Sequence, residues 1–194
     1  MPETVKLRAR DAMRRELANA ALDVVLDHGF DALTADDIAA AIGMSRATFF
    51  RQFGSKEGAV VAAYTGTSAQ FADAFRRTAR NGGGTRWSQL RMAVEPAVLF
   101  AEADPARIRR RLAFLGEHPR IFARLKQERV AQIDQLAQAM QDTGVGAFES
   151  QILANAAIST LDQGFQHWML QDTQSIRVMI DAAFAHLDAA GRPA

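Results

Sequence analysis

The chain contains no cysteine in its 194 residues, so it can build neither a disulfide framework nor a thiolate metal site. No apolar run approaches the roughly 20 residues that a membrane span needs, and no N-terminal apolar stretch has signal-peptide form. A cytoplasmic location without a membrane partner is therefore expected. Tyrosine occurs once, and threonine and valine are sparse beside Ala, Leu, Arg and Gln, so strand formers are short and helix formers plentiful. The fold class this implies is all-α. Enzyme signatures are missing too: there is no P-loop, no His-Glu-x-x-His, no dinucleotide fingerprint and no Glu-x-x-His pair. His28, His118, His167 and His186 are scattered, each read as a cap, surface or core residue rather than a ligand. The expectation is a non-enzyme with no catalytic residues, no cofactor and no metal.

What is present is charge whose placement matters more than its sum. The formal net charge is only +1, because acidic and basic residues cancel over the whole chain. Yet Lys6, Arg8, Arg10, Arg14 and Arg15 crowd the N-terminal arm, and Arg46, Arg51 and Lys56 cluster further on, with Asp23, Asp27 and Asp31 between. Two basic clusters meeting at one end of a small head form an electrostatic footprint for phosphates.

Apolar periodicity and stop signals predict about nine helices. Leu17, Ala21, Val24 and Val25 mark a first helix over about 7–28, ended by Gly29 in the left-handed conformation. Thr34, with Asp37 three residues later, forms a capping-box variant opening a second helix that runs to about Ile42. Gly43 supplies a turn and Ser45 caps a short third helix. Phe49 and Phe53 give that helix its buried face, leaving Ala47, Thr48 and Arg51 opposite. Gly54-Ser55 breaks the chain, and a fourth helix is expected to start at Lys56-Glu57 and continue through Tyr64, Phe71 and Phe75. Asn81-Gly82-Gly83-Gly84-Thr85 is a loop. A fifth helix over about 87–103 should kink at Pro96. Asp104-Pro105 and His118-Pro119 open helices over about 105–116 and 119–142, Thr143-Gly144-Val145-Gly146 stops the latter, and an eighth runs over about 147–171. Asp172-Thr173 caps a ninth that Gly191 closes.

Taken together, Gly29-Phe30, Thr34, Gly43-Met44-Ser45, Thr48-Phe49-Phe50-Arg51-Gln52-Phe53 and Ser55-Lys56-Glu57 resemble the helix-turn-helix head of the TetR family of one-component bacterial regulators. The resemblance covers roughly residues 10 to 64, and it is specific because spacing, caps and aromatic positions agree at once. It implies a DNA-binding domain over 1–64 and a ligand-binding and dimerisation domain over 65–194. By that resemblance Thr34 and Lys56 touch backbone phosphates, Ser45 caps the recognition helix, and Arg46, Ala47, Thr48 and Arg51 present to base edges in the major groove. Arg51 is the leading candidate for a guanine contact, and Arg46 is equally a phosphate contact or a base reader. The family usually carries tyrosine at the position of Phe50 and often tyrosine or histidine at Gln52. Phe50 donates no hydrogen bond, so anchoring passes to Gln52, Thr48, Lys56 or backbone amides, with Phe50 available for apolar contact.

For the remainder, the family pattern implies a homodimer reading a palindromic operator in double-stranded DNA. Phe148 and Ile152 on the eighth helix and Ile176, Ile180, Ala183 and Leu187 on the ninth are the expected interface. Phe71, Phe75, Trp87, Phe100, Phe114, Phe122, Phe165 and Trp168 exceed the aromatic needs of a plain bundle and are candidates to line a small-molecule pocket. Arg107 and Arg111 share a helix face and, with Arg110, are either a solvated basic surface or an anion anchor. The run Arg109-Arg110-Arg111-Leu112-Ala113-Phe114-Leu115-Gly116-Glu117-His118-Pro119, with Trp168, is similar to a TetR subgroup described as binding acyl-CoA-like ligands. The function implied is a ligand-responsive repressor released from its operator by an apolar or amphipathic effector. The alternative is a helical apolar-ligand carrier, or an enzyme, without DNA binding.

Overall fold

The computed structural model describes residues 2–66, 69–80, 84–171 and 174–190, with side chains from residue 9 onward. Lys6 and Arg8 of the basic arm, Asn81-Gly82-Gly83 of the loop, the Asp172-Thr173 cap and Gly191 lie outside the described side chains. Among the described residues eleven helices and no strand occur: α1 (Pro2–His28), α2 (Ala35–Ala41), α3 (Arg46–Phe53), α4 (Lys56–Thr65), α5 (Gln70–Arg80), α6 (Arg86–Ala93), α7 (Glu95–Ala103), α8 (Pro105–Glu117), α9 (Pro119–Gln141), α10 (Ala147–Met169) and α11 (Ile176–Ala190).

Two splits account for the excess over nine. The long fourth helix is in fact α4 and α5, because Gly66 takes φ 61° and ψ −134°, a conformation open essentially to glycine alone, and ends α4 there. The expected kink at Pro96 becomes a break into α6 and α7. Proline has no N–H to donate and its ring crowds the carbonyl four residues back, so the chain interrupts at Val94, whose N–H still bonds Leu90 O at 3.2 Å.

The chain forms two compact units, one of residues 1–67 with 114–127 and one of residues 68–113 with 128–194. The first, the head, closes over Ala18, Ala21, Leu22 and Val25 of α1, Ile38 of α2, Phe49 and Phe53 of α3 and the 59–63 stretch of α4, joined by Phe114, Leu115, Ile121 and Leu125. The second, the body, packs Phe71 and Phe75 of α5 with Leu90, Val98, Leu136, Met140, Ile158, Leu161, Trp168, Ile176, Ile180 and Phe184. Alanine recurs in both cores, and small residues let helices approach closely. Gly164 of α10 is one such point: a Cβ there would run into Ile180 Cδ1 of α11.

Candidate nucleic-acid interface

The head is organised around α3, a helix of only eight residues, too short to persist alone. Its buried face is Phe49 and Phe53, whose rings meet edge to face at 5.3 Å. Its start is fixed by Ser45, whose Oγ accepts from Thr48 N at 3.3 Å and donates to Thr48 Oγ1 at 2.9 Å. Its end is held by Arg14 of α1, which donates from Nε to Gln52 O at 3.3 Å and stacks over the Phe53 ring at 5.5 Å. A cation at a helix C-terminus is favourable both to the bare carbonyls and to the dipole. Gly58 of α4 completes the cradle, since any Cβ there would strike the Phe53 carbonyl oxygen. With its back thus fixed, α3 turns Arg46, Ala47, Phe50 and Arg51 to the exposed side, with Thr48 and Gln52 half-buried.

α2 starts at a full capping box. Thr34 Oγ1 accepts from Asp37 N at 3.1 Å, and Asp37 Oδ2 takes hydrogen bonds from the Thr34 N–H at 2.9 Å and the Thr34 hydroxyl at 2.6 Å. The Thr34 hydroxyl and then its N–H hold the Asp37 carboxyl below the usual aspartate range. Two capped helix N-termini, at Thr34 and Ser45, stand exposed on the head.

The cations are not deployed alike. Lys56, expected at a phosphate, donates Nζ to Phe30 O at 2.7 Å and Leu33 O at 2.9 Å and lies 4.0 Å from the centroid of the Phe30 ring. It is half-buried and ties down the turn between α1 and α2. Arg14, counted in the basic arm, is the clamp on α3 described above. Arg51 is exposed, with Nη2 3.5 Å from Thr48 Oγ1, too long for a strong bond. Arg46 is exposed, pairs through Nη1 with Asp36 Oδ2 at 2.7 Å, and sits over the Phe50 ring at 5.6 Å. The clamp by Arg14 and the pairing by Asp36 had no signal in the sequence. Both depend on which helix faces cross.

The candidate pocket residues divide between the units. Phe114 and Phe122 belong to the head, Phe114 stacked on His118 at 4.0 Å and edge-on to Phe30. Phe71 and Phe75 are fully buried in the body, where Trp87 and Phe165 also pack, while Phe100 is partly exposed. Trp168 is buried, donates Nε1 to Gln174 O at 3.0 Å, and lies under Arg109, whose Nη1 and Nη2 donate to Trp168 O and Gln171 O, closing the end of α10.

The arginine run splits by face as well. Arg107 is half-buried and Arg110 exposed, but Arg111 is only 2% exposed and sits 5.9 Å from the Phe100 ring centroid. A solvated basic face is therefore the wrong description of Arg111. Arg129 of α9 is also mostly buried, donating to Gln132 Oε1 at 2.6 Å, pairing with Asp162 at 3.1 Å, and facing the Phe71 ring at 5.9 Å. Its buried Nε has no hydrogen-bond partner among the described residues.

On the expected dimer surface, Ile176 and Ile180 face their own core and are buried there, so they do not present to a partner. Their spacing on α11 is the spacing of an intramolecular face. Ala183 and Leu187 are half-buried, whereas Phe148 is 83% exposed and Ile152 and Val178 are more than half exposed.

Residues 17–63 match the family model of the bacterial regulatory proteins, tetR family. The chain is 24% identical over 184 residues to the mycofactocin biosynthesis transcriptional regulator assigned in Mycobacterium tuberculosis, covering 91% of this chain and 90% of that one. It is 26% identical over 167 residues to the HTH-type transcriptional activator FasR of Mycolicibacterium smegmatis, covering 84% and 75%. Its fold is similar to that of FadR, a transcriptional repressor of Thermus thermophilus solved with lauroyl-CoA, at TM-score 0.58 and 18% identity, covering 93% of this chain and 96% of that one.

Proposed function

We propose that this chain, whose head belongs to the TetR family of bacterial regulatory proteins, is a homodimeric repressor that binds a palindromic operator and leaves it when an effector occupies the body. The observation that carries the reading is the build of α3: a short helix capped at its start, clamped at its end and packed on phenylalanine, with arginines on its open face. Such a helix is rigid where a major-groove reader must be rigid and basic where DNA is anionic. Residues 1–64 would be the DNA-binding domain and 65–194 the effector and dimer domain. Thr34, Ser45, Thr48 and Gln52 would meet backbone, and Arg46, Ala47, Phe50 and Arg51 the groove, while Lys56 would serve chiefly to hold the turn ahead of α2.

One recognition helix reads too few base pairs, and a dimer would bring two to half-sites about 34 Å apart. Phe148, Ile152 and Val178 are the best-supported seam, because large apolar groups on the open faces of α10 and α11 need cover. For the effector, two mostly buried guanidiniums, Arg111 and Arg129, among Phe71 and Phe100 favour an amphipathic molecule whose anionic group meets arginine and whose tail meets aromatics. An acyl-CoA-like effector fits that chemistry, and a FadR structure at this fold holds lauroyl-CoA. A displacement of α4 on effector binding that changes the separation of the two α3 helices needs a coupling of only about 1 to 3 kcal/mol.

The test is a gel shift on the DNA upstream of the chain's own gene, with and without lauroyl-CoA. Binding by the purified dimer, weakening steeply with salt and released by the thioester, is expected. No binding at low salt would overturn the DNA reading, and binding that lauroyl-CoA and every other amphipathic anion leave untouched would overturn the effector reading.

A further inference from the structure

The exposed phenylalanine on the open face of α3 and the acidic residue beside its first arginine are both out of place on a surface meant for DNA. Phe50 offers no donor to a phosphate, and Asp36 brings negative charge toward a polyanion. Both touch the same side chain. Arg46, 73% exposed at the start of α3, pairs through Nη1 with Asp36 Oδ2 of α2 at 2.7 Å, and its Cζ lies over the Phe50 ring at 5.6 Å, one turn along its own helix.

We propose that Asp36 and Phe50 are positioning residues that hold Arg46 ready to read a guanine. The inference rests on the reading of α3 as a DNA-recognition helix. A long exposed arginine samples many rotamers, and one that must make two coplanar hydrogen bonds loses that freedom on binding. Here the ring fixes the face of the guanidinium and the carboxylate fixes its rotation in the plane. With Nη1 turned to Asp36, the Nε–Nη2 edge is the one that meets guanine O6 and N7. Were Arg46 a phosphate contact instead, Asp36 would merely compete with DNA for it. The two roles predict opposite behaviour when the carboxylate is removed.

The experiment measures, by fluorescence anisotropy over a range of salt, the binding of wild type, Asp36→Asn, Phe50→Leu, Phe50→Tyr and Arg46→Lys to the operator selected from random duplexes. The same proteins are titrated against that operator with each G·C pair replaced in turn and against a scrambled duplex. All three positions are exposed, and thermal melts verify folding.

Wild type is expected to discriminate at a G·C pair in each half-site through Arg46, apart from any pair that Arg51 reads. Arg46→Lys and Asp36→Asn should each lose about tenfold of that discrimination, within the range one bidentate arginine–guanine contact supplies. Affinity of Asp36→Asn for the scrambled duplex should be equal to or above that of wild type. Phe50→Leu should lose a smaller part of the discrimination and Phe50→Tyr, which keeps the ring, should retain it. Full discrimination by Asp36→Asn and Phe50→Leu at every pair would overturn the inference. So would equal tightening of Asp36→Asn on operator and scrambled duplex with their ratio unchanged, which makes Asp36 a simple electrostatic brake. Failure of wild type to bind any duplex would instead remove the DNA reading beneath it.

Discussion

Head and body are both helical and both close over alanine-rich apolar cores, yet they spend their charged side chains differently. In the head, charge holds backbone: Lys56 holds the Phe30 and Leu33 carbonyls, Arg14 the Gln52 carbonyl, and Asp37 the Thr34 amide. In the body, charge holds charge. Arg91 of α6 bonds Glu95 at 2.7 Å and Asp181 of α11 at 2.6 Å, and Arg177 of α11 bonds Glu95 at 2.8 Å and Glu102 at 2.7 Å, lacing α11 to both sides of the break at Val94. In the body Arg109, which closes α10, and Asp104, whose Oδ1 accepts from the Arg107 N–H at 3.0 Å, hold backbone as well. The Arg46–Asp36 pair joins charge to charge in the head, and it sits where function is proposed. In the head the bonds to backbone pin the turn ahead of α2 and the two ends of the short α2–α3 pair. In the body the ion pairs set α6 and α7 against α11.

If the head's geometry is a matter of backbone fit, the largest effect should come from its tightest contact. Gly58→Ala would drive a Cβ into the Phe53 carbonyl, which cannot swing aside as a side chain can, and should destabilise by about 3 kcal/mol. Hydrogen exchange is the measurement: amides of α1 to α4 should lose protection while those of α10 and α11 keep theirs. Equal loss in both units would end the contrast. The matching break in the body is Arg91→Met, since Arg91 is buried and its removal leaves Glu95 and Asp181 without it. About 2 kcal/mol should be lost in urea unfolding. The readout is specific, because the two tryptophans, Trp87 and Trp168, both lie in the body.

The contrast also explains what could be read in the sequence. Caps and turns are built from residues three or four apart, and so the Thr34 box, the Ser45 cap, the left-handed stop at Gly29, the Gly43 turn and the Gly54-Ser55 break were all visible as spacing. The Phe49 and Phe53 face was visible for the same reason. The network joining Arg91 to Asp181 or Arg177 to Glu102 spans most of the body's sequence, and no local pattern announces it. Nor did the stripe of Ile176 and Ile180 carry a label saying whether its partner was α10 of the same chain or a helix of another. The burial of Arg111 beside the exposure of Arg110 follows from one step of helix rotation, which sequence leaves open until packing decides it. For the proposed site, the scaffold of α3 was legible, whereas the roles of Lys56, Arg14 and Asp36 required the crossing of helices.

Lys56→Met puts the head's rule to a finer test, because it keeps the stem and removes two charge-assisted bonds to carbonyls. A loss of about 1.5 kcal/mol in denaturant unfolding is expected. A purely phosphate-binding lysine would leave stability alone and lower affinity for every duplex equally, with a salt slope smaller by about 1.

The smallest effect distinguishes the units by acid. Glu95 feels burial, which pushes its carboxyl up, but hydrogen bonds from Arg177 and Arg91 more than offset this and hold it below 4.5, and Arg177 holds Glu102 below the same value. Carboxylates lowered in the folded state stabilise it above the unfolded value and lose that contribution as pH falls through the folded one. The body's stability should therefore be level above about pH 5 and decline below about pH 4.5, as the acid arm of tryptophan-monitored urea midpoints. Arg177→Met should start lower and decline less, because the two glutamates return toward their ordinary values and bind protons in folded and unfolded chains alike. The head carries a lowered carboxyl too, Asp37, but its cause is threonine, not arginine. Its acid response should be untouched by Arg177→Met, and a change there would mean that charge in the body governs the head as well.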